Sequence, residues 1–181
     1  MKKRLVVALS GASGAPLAIE LMRILSNLTE WEIHLVISSG FQKTLEAETD
    51  LSVAKLHDMA TKVYDNTDIG ASIASGTFKT DGMVVIPCSM KTVAGIASGY
   101  SDNLILRAAD VTIKERRKLV LVARETPLSA IHLKNMLYLA QLGVVIMPPM
   151  LTYYNCPVDI PQMARHIVGK VLSEFGVEMP G

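Results

Sequence analysis

The sequence predicts a doubly wound α/β fold, one parallel β-sheet between two layers of helices. Three observations predict it. Strand and helix patterns alternate from end to end. The strand runs are almost continuously apolar, as in a parallel sheet covered on both faces. The first run, Leu5-Val-Val-Ala-Leu9, passes through the tight turn Ser10-Gly-Ala-Ser-Gly14 straight into the helical pattern Ala15-Pro-Leu-Ala-Ile-Glu-Leu-Met22.

In chain order, Arg4–Leu9 reads as a strand and Pro16–Asn27 as a helix, with Pro16 in the first turn, where a missing N–H costs little. Glu32–Ile37 is the second strand and ends at Ser38-Ser-Gly40; helical pattern follows through Glu48. Ser52–Met59 is a short helix with Ser52 as its N-cap. Gly82–Ile86 is a strand ending at Pro87. Thr92–Ala97 and Leu104–Arg116 read as helices, Lys118–Ala123 as a strand, Ile131–Leu142 as a helix, Val144–Met147 as a strand and Ile160–Phe175 as the closing helix. Five or six strands result, with no repeat, low-complexity tract or linker, so residues 1–181 are expected to form one domain.

Composition narrows the function. Half of the 181 residues are hydrophobic, enough for a sizeable core, and the net charge of +1 implies neither a nucleic-acid nor a membrane partner. No apolar run has signal-peptide or transmembrane character, so a cytoplasmic location is expected. Cys88 and Cys156 lie in unrelated contexts without metal-ligand spacing, and the four histidines form neither zinc nor triad spacing, so no metal is expected. His34, in an apolar strand, reads as structural. Ten methionines and a positive mean hydropathy hint at apolar surface buried between subunits.

In such a sheet, ligands bind beyond the carboxyl ends of the strands. The strand exits here read Ser10-Gly-Ala-Ser-Gly14, Ser38-Ser-Gly40, Pro87-Cys-Ser-Met-Lys-Thr92, Arg124-Glu-Thr-Pro127 and Pro148-Pro-Met-Leu-Thr-Tyr-Tyr154, each rich in hydroxyls, charge or backbone-shaping residues. The first exit is expected to form an anion site, with glycines for close approach and free N–H groups at the helix start. Ser89 and Thr92 suit a phosphate at a helix N-terminus, or form an ordinary N-cap; Lys91 is either a ligand or a solvated charge. Arg124 at a strand exit suits a phosphate or carboxylate clamp, and Glu125 is either a general acid or its ion-pair partner. Arg107, Asp110 and Lys114 share one helix face, either a surface charge ladder or a face turned to a ligand in a neighbouring subunit. For Glu48, Tyr154 and Lys170 the residues alone leave a solvated or core-edge role open beside a ligand-directed one.

Taken together, the strings Ser10-Gly-Ala-Ser-Gly-Ala15, His34-Leu-Val-Ile-Ser38, Leu45-Glu-Ala-Glu-Thr49, Ser72-Ile-Ala-Ser-Gly-Thr-Phe78, Val85-Ile-Pro-Cys-Ser-Met-Lys-Thr92, Arg107-Ala-Ala-Asp110, Lys114-Glu-Arg-Arg117, Arg124-Glu-Thr-Pro-Leu128 and Met147-Pro-Pro149 with Tyr154 resemble the flavin prenyltransferase family. They span nearly the whole chain in order. The resemblance implies a Rossmann-like, flavodoxin-like three-layer fold and a specific reaction. Reduced FMN is the acceptor and dimethylallyl phosphate the donor. N5 of the flavin attacks the allylic carbon as phosphate leaves, C6 then closes a fourth ring, and a separate decarboxylase uses the prenylated FMN. An allylic cation needs a dry, preorganised pocket, and the leaving phosphate needs cations and a proton.

Carried over residue by residue, the resemblance implies FMN contacts at Gly11, Ala12, Ser13, Ser38, Ser89, Met90, Lys91, Thr92 and Arg124. It implies Tyr154 and Lys170 at the prenyl phosphate, helped by Arg107, Lys114 and Arg124, with Glu125 as the acid. Ser13 and Glu48 fall in a proton network on the flavin side. Where some relatives carry arginine, Lys170 keeps the charge and loses the bidentate fork. The resemblance also implies a homo-oligomer, often a dodecamer, with sites at subunit junctions. The rivals are a flavin-dependent cysteine decarboxylase, disfavoured because Pro87-Cys-Ser-Met-Lys-Thr92 stands where an Asn-rich motif would, a flavodoxin-like electron carrier, and an aromatic acid decarboxylase.

Overall fold

A computed structural model describes residues 2–179. Its strands are β1 (Lys3–Leu9), β2 (Trp31–Ile37), β3 (Lys62–Tyr64), β4 (Gly82–Cys88), β5 (Leu119–Ala123) and β6 (Val145–Ile146). Its helices are α1 (Ala15–Ser26), α2 (Ser39–Glu48), α3 (Val53–Asp58), α4 (Met90–Ser98), α5 (Leu104–Lys114), α6 (Ala130–Gln141) and α7 (Ile160–Ser173). The six strands are all parallel, in the order β3-β2-β1-β4-β5-β6.

Both faces of the sheet are covered, and the strand sequences show why they read as unbroken apolar runs. Along β1, Leu5, Val7 and Leu9 enter one core, with Leu17, Leu21 and Leu25 of α1 and Ile167, Val168 and Val171 of α7. Val6 and Ala8 enter the other, with Val93 of α4, Leu104 and Ala108 of α5 and Leu139 of α6. Successive side chains point to opposite faces, so a strand buried on both shows no alternation of apolar and polar residues.

Strand order reverses direction between β1 and β4, and the crevice beyond their carboxyl ends is where such sheets bind ligands. Ser10 locks this point: its hydroxyl donates to the Pro87 carbonyl at 3.1 Å and accepts from the Ser89 amide at 2.9 Å.

Differences from the expected elements have local causes. β3 was not expected; its three residues are too few for a period, and its pairing with β2 alone defines it. A 3-10 turn at Ser72–Ala74 was likewise unforeseen. α4 begins at Met90, two residues early, because Ser89 caps it. α5 stops before Arg116, whose φ of 55° is left-handed and breaks the helical path.

Candidate functional site

Two cavities flank the turn after β1. The first, about 240 Å³, is lined by Ser10, Gly11, Ser38, Ser39, Gly40, Asn66, Ser89, Lys91, Thr92, Asn103 and Ile105. Three helices start at its wall. Ser38 caps α2 by accepting from the Phe41 amide at 3.1 Å, and Ser89 caps α4 by accepting from the Thr92 amide at 3.3 Å. Asn103 caps α5 through the Leu106 amide at 3.1 Å. The leading amides of α2, Ser39 and Gly40, and of α4, Met90 and Lys91, have no partner among the described residues. These N–H groups, the positive ends of two helix dipoles and the Lys91 ammonium make a binding place for an anion the size of phosphate. Met90 contributes its amide only, since its side chain is buried in the core. Gly11 is required by packing: a Cβ there would lie 2.9 Å from the Gly40 carbonyl carbon.

The expected anion site at the start of α1 is corrected by the structure. The Gly14 and Ala15 amides already donate to the Glu48 carboxylate, at 2.9 and 2.7 Å. A carboxylate from the end of α2 therefore closes the α1 N-terminus, and an external anion would have to displace it. Burial pushes Glu48 upward, but the Ser13 hydroxyl, the two amides and the Arg124 charge outweigh it and hold the carboxyl below its ordinary range.

The second cavity, about 510 Å³, carries this Ser13–Glu48–Arg124 group on one side. Pro16, Leu17, Pro149, Leu151, Ile160, Met163, Ala164 and Ile167 supply an otherwise apolar lining. Arg124 stands at the exit of β5, its amide bound to the Cys88 carbonyl at 3.1 Å. Within one protomer an anion pocket and an apolar cleft thus meet along Ser10–Gly14.

Other expected site residues are not gathered in this cleft. Glu125 is exposed, and its Oε1 accepts from the adjacent Thr126 amide at 3.0 Å. Tyr154 is 77% exposed and sets its ring edge-on to His166, with centroids 6.1 Å apart. Lys170, one turn after His166, lines a separate groove on the outer side of α7 with Gln162, Arg165 and His166. Arg107 pairs with Asp110 at 2.7 Å, and Lys114 pairs with Glu115. α5 begins at the anion cavity and runs back along the sheet, which carries Lys114 about 15 Å from Leu104. Lys114 consequently lies toward the amino ends of the strands, near Gly76, and joins no cation at the cleft of its own protomer.

Two buried candidates outside this group, Cys88 and His34, are closed to a ligand, whereas Cys156 is a free, exposed thiol away from the cleft lining. Cys88 is fully buried and burial pushes its thiol up. His34 is buried, and burial chiefly holds it below its ordinary value; its Nδ1 lies 2.8 Å from the Tyr64 hydroxyl, which in turn lies 2.8 Å from Ser72 Oγ. Among the described residues no group of three or more His, Cys, Asp or Glu is placed to hold a metal ion, and no helix is long and apolar enough to cross a membrane.

Sequence reasoning missed Asn66 and Asn103. Asn103 had a signal, an Asn immediately before the apolar run of α5, which is an N-cap pattern. Asn66 had none, because its contacts are to α5, thirty-nine positions away.

Residues 1–174 match the model of a family described as Flavoprotein. A probable UbiX-like flavin prenyltransferase of Sedimentibacter hydroxybenzoicus is 53% identical over 175 residues, covering 97% of this chain and 93% of that protein. The crystal structure of a dodecameric FMN-dependent UbiX-like decarboxylase from Escherichia coli O157:H7 superposes with a TM-score of 0.97 at 49% identity, covering 98% of this chain and 96% of the other. The structure of AnUbiX (PadA1) in complex with FMN and dimethylallyl pyrophosphate superposes with a TM-score of 0.96 at 46% identity, covering 98% and 94%.

Proposed function

Because this chain belongs to the flavin prenyltransferase family, we propose that it transfers a dimethylallyl group from dimethylallyl phosphate to reduced FMN, yielding prenylated FMN for a separate decarboxylase. The observation that carries the reading is the pairing of an anion-binding cavity of unspent amides with an apolar cleft holding Ser13, Glu48 and Arg124. The FMN phosphate is assigned to the amides of Ser39, Gly40, Met90 and Lys91 with Ser38, Ser89 and Thr92, beside Gly11 and Ala12. The flavin ring and the prenyl chain are assigned to the apolar cleft. Bound reduced flavin supplies the nucleophile.

The chain's own residues do the rest. The apolar walls exclude water from a developing allylic cation. Ser13 and the Glu48 carboxylate share one wall of the cleft and are assigned a proton relay there, and Arg124 offers a fixed charge. Tyr154, Lys170 and the Glu125 acid are assigned to the departing phosphate. Their dispersal in one protomer, with Arg107 paired to Asp110 and Lys114 carried to the far end of α5, supports a site completed by neighbouring subunits of a homo-oligomer, for which a dodecamer is the model. A single domain over residues 1–181 and a cytoplasmic location belong to the same reading.

Anaerobic incubation of the purified protein with reduced FMN and dimethylallyl phosphate tests it, followed by mass analysis of the flavin. Gain of one prenyl unit is expected. An unchanged flavin, with an added aromatic acid decarboxylated instead, would transfer the activity to the acid decarboxylase reading.

A further inference from the structure

Asn66 follows β3 by two residues and stands half-buried in the wall of the anion cavity. Its main-chain carbonyl accepts from the Leu104 amide at 2.8 Å, and its Oδ1 accepts from the Ile105 amide at 3.1 Å. Asn103 takes the next two amides of α5: Oδ1 accepts from Leu106 at 3.1 Å and the carbonyl from Arg107 at 3.0 Å. All four leading amides of α5 are therefore spent inside the protein, whereas α2 and α4 each keep two for the cavity.

This contrast decides how Asn66 can act. A backbone N–H only donates, so the Ile105 amide settles which end of the Asn66 side chain is oxygen. Nδ2, with two donors, is left as the side-chain atom the residue can offer, and it has no partner among the described residues. The same cavity wall carries Ser39, Lys91 and Thr92, all with donors.

We propose that Asn66 is a phosphate-reading residue: its Nδ2 donates to the anion in this cavity while its two oxygens hold the start of α5. Through the side-chain amide, the positive end of α5 reaches a ligand that its own amides no longer meet. The proposal rests on the assignment of this cavity to the flavin phosphate, and it adds a discriminator between a phosphorylated flavin and its dephosphorylated form.

Asn66→Asp separates the ligand role from the capping role. Aspartate keeps both oxygens toward α5 and places negative charge at a helix N-terminus, so thermal stability should hold. It removes the donors and sets a carboxylate against phosphate. In titrations of the purified chain with FMN and with riboflavin, FMN affinity should fall by about 100-fold or more, while riboflavin affinity changes by less than about threefold. Asn66→Ser, which keeps an acceptor and withdraws the amide, carries the test should the aspartate variant fold poorly; an FMN-selective loss of about tenfold is expected. Equal FMN affinity in variant and wild type, or equal losses for both flavins, would reduce Asn66 to a helix cap and overturn the proposal. Wild-type protein that binds FMN and riboflavin alike would overturn the phosphate assignment of the cavity, and the proposal with it.

Discussion

The Glu48 carboxylate is expected to be a structural charge as well as a site residue, and Glu48→Gln measures the first role. The substitution keeps size and one acceptor oxygen and removes the charge. In the wild type the carboxylate receives the Gly14 and Ala15 amides at 2.9 and 2.7 Å. Charge-assisted bonds exceed neutral ones by about 1 kcal/mol each. The helix dipole adds about 0.3–1 kcal/mol. The side chain is exposed, so solvent screening reduces the sum, and a net loss of about 1–2 kcal/mol is expected. For a chain of this length that lowers Tm by about 3–6 °C.

The pH dependence gives a sharper test. Glu48 is held below its ordinary value of 4.5 in the folded protein. A depressed carboxyl contributes stability that is fully present above the unfolded pKa and lost as pH falls through the folded one. Wild type and Glu48→Gln should thus differ fully at neutral pH and converge in acid, below the ordinary carboxylate range. Thermal or urea unfolding of both proteins across that range is the assay. A gap of the same size at neutral pH and well below the folded pKa would refute the electrostatic account of the α1 cap, as would equal stability at neutral pH.

Three further outcomes are expected. Glu125→Gln should lower prenyl transfer by about 10²–10⁴-fold with FMN binding intact, the range for loss of a general acid; unchanged turnover would remove Glu125 from the reaction. Lys170→Ala should weaken dimethylallyl phosphate binding by about 1.5–3 kcal/mol and leave FMN affinity unchanged, whereas a solvated lysine would cost less than about 0.5 kcal/mol; titration with the prenyl phosphate decides. Ile131 and Leu137 of α6 are 69% and 61% exposed in one protomer, so light scattering should find an assembly larger than a dimer, and a stable monomer at micromolar concentration would contradict subunit burial of this helix face.

Local sequence signals account for most of the fold. An apolar run buried on both faces names itself, as in Leu5–Leu9, and so does the serine before a helical period at Ser52, whereas the caps at Ser38 and Ser89 were settled by the structure. These signals act between residues a few positions apart, and neighbours in sequence carry them. β3 escaped because three residues, two of them exposed, hold no period; only the β2 edge makes them a strand.

The chemical identity of the site was legible for the same reason: Ser10–Gly14, Ser89–Thr92 and Arg124 stand at strand exits wherever the strands go. Which groups satisfy one another was not. The amides opening α1 belong to Glu48, thirty-three positions on, and those opening α5 belong to Asn66 and Asn103. An unspent N–H is recognised only once every competing acceptor has been placed, and that placement is tertiary. Likewise the shared helix face of Arg107 and Lys114 did not say which ligand it could reach; the path of α5, from the anion cavity back along the sheet, carries Lys114 away from the cleft of its own protomer. Sequence by itself determined the parallel αβα scaffold and the residue types at its ligand edge. Tertiary structure decided which helix starts remain open to an anion, because a helix terminus attracts only through the donors that the rest of the chain has left free.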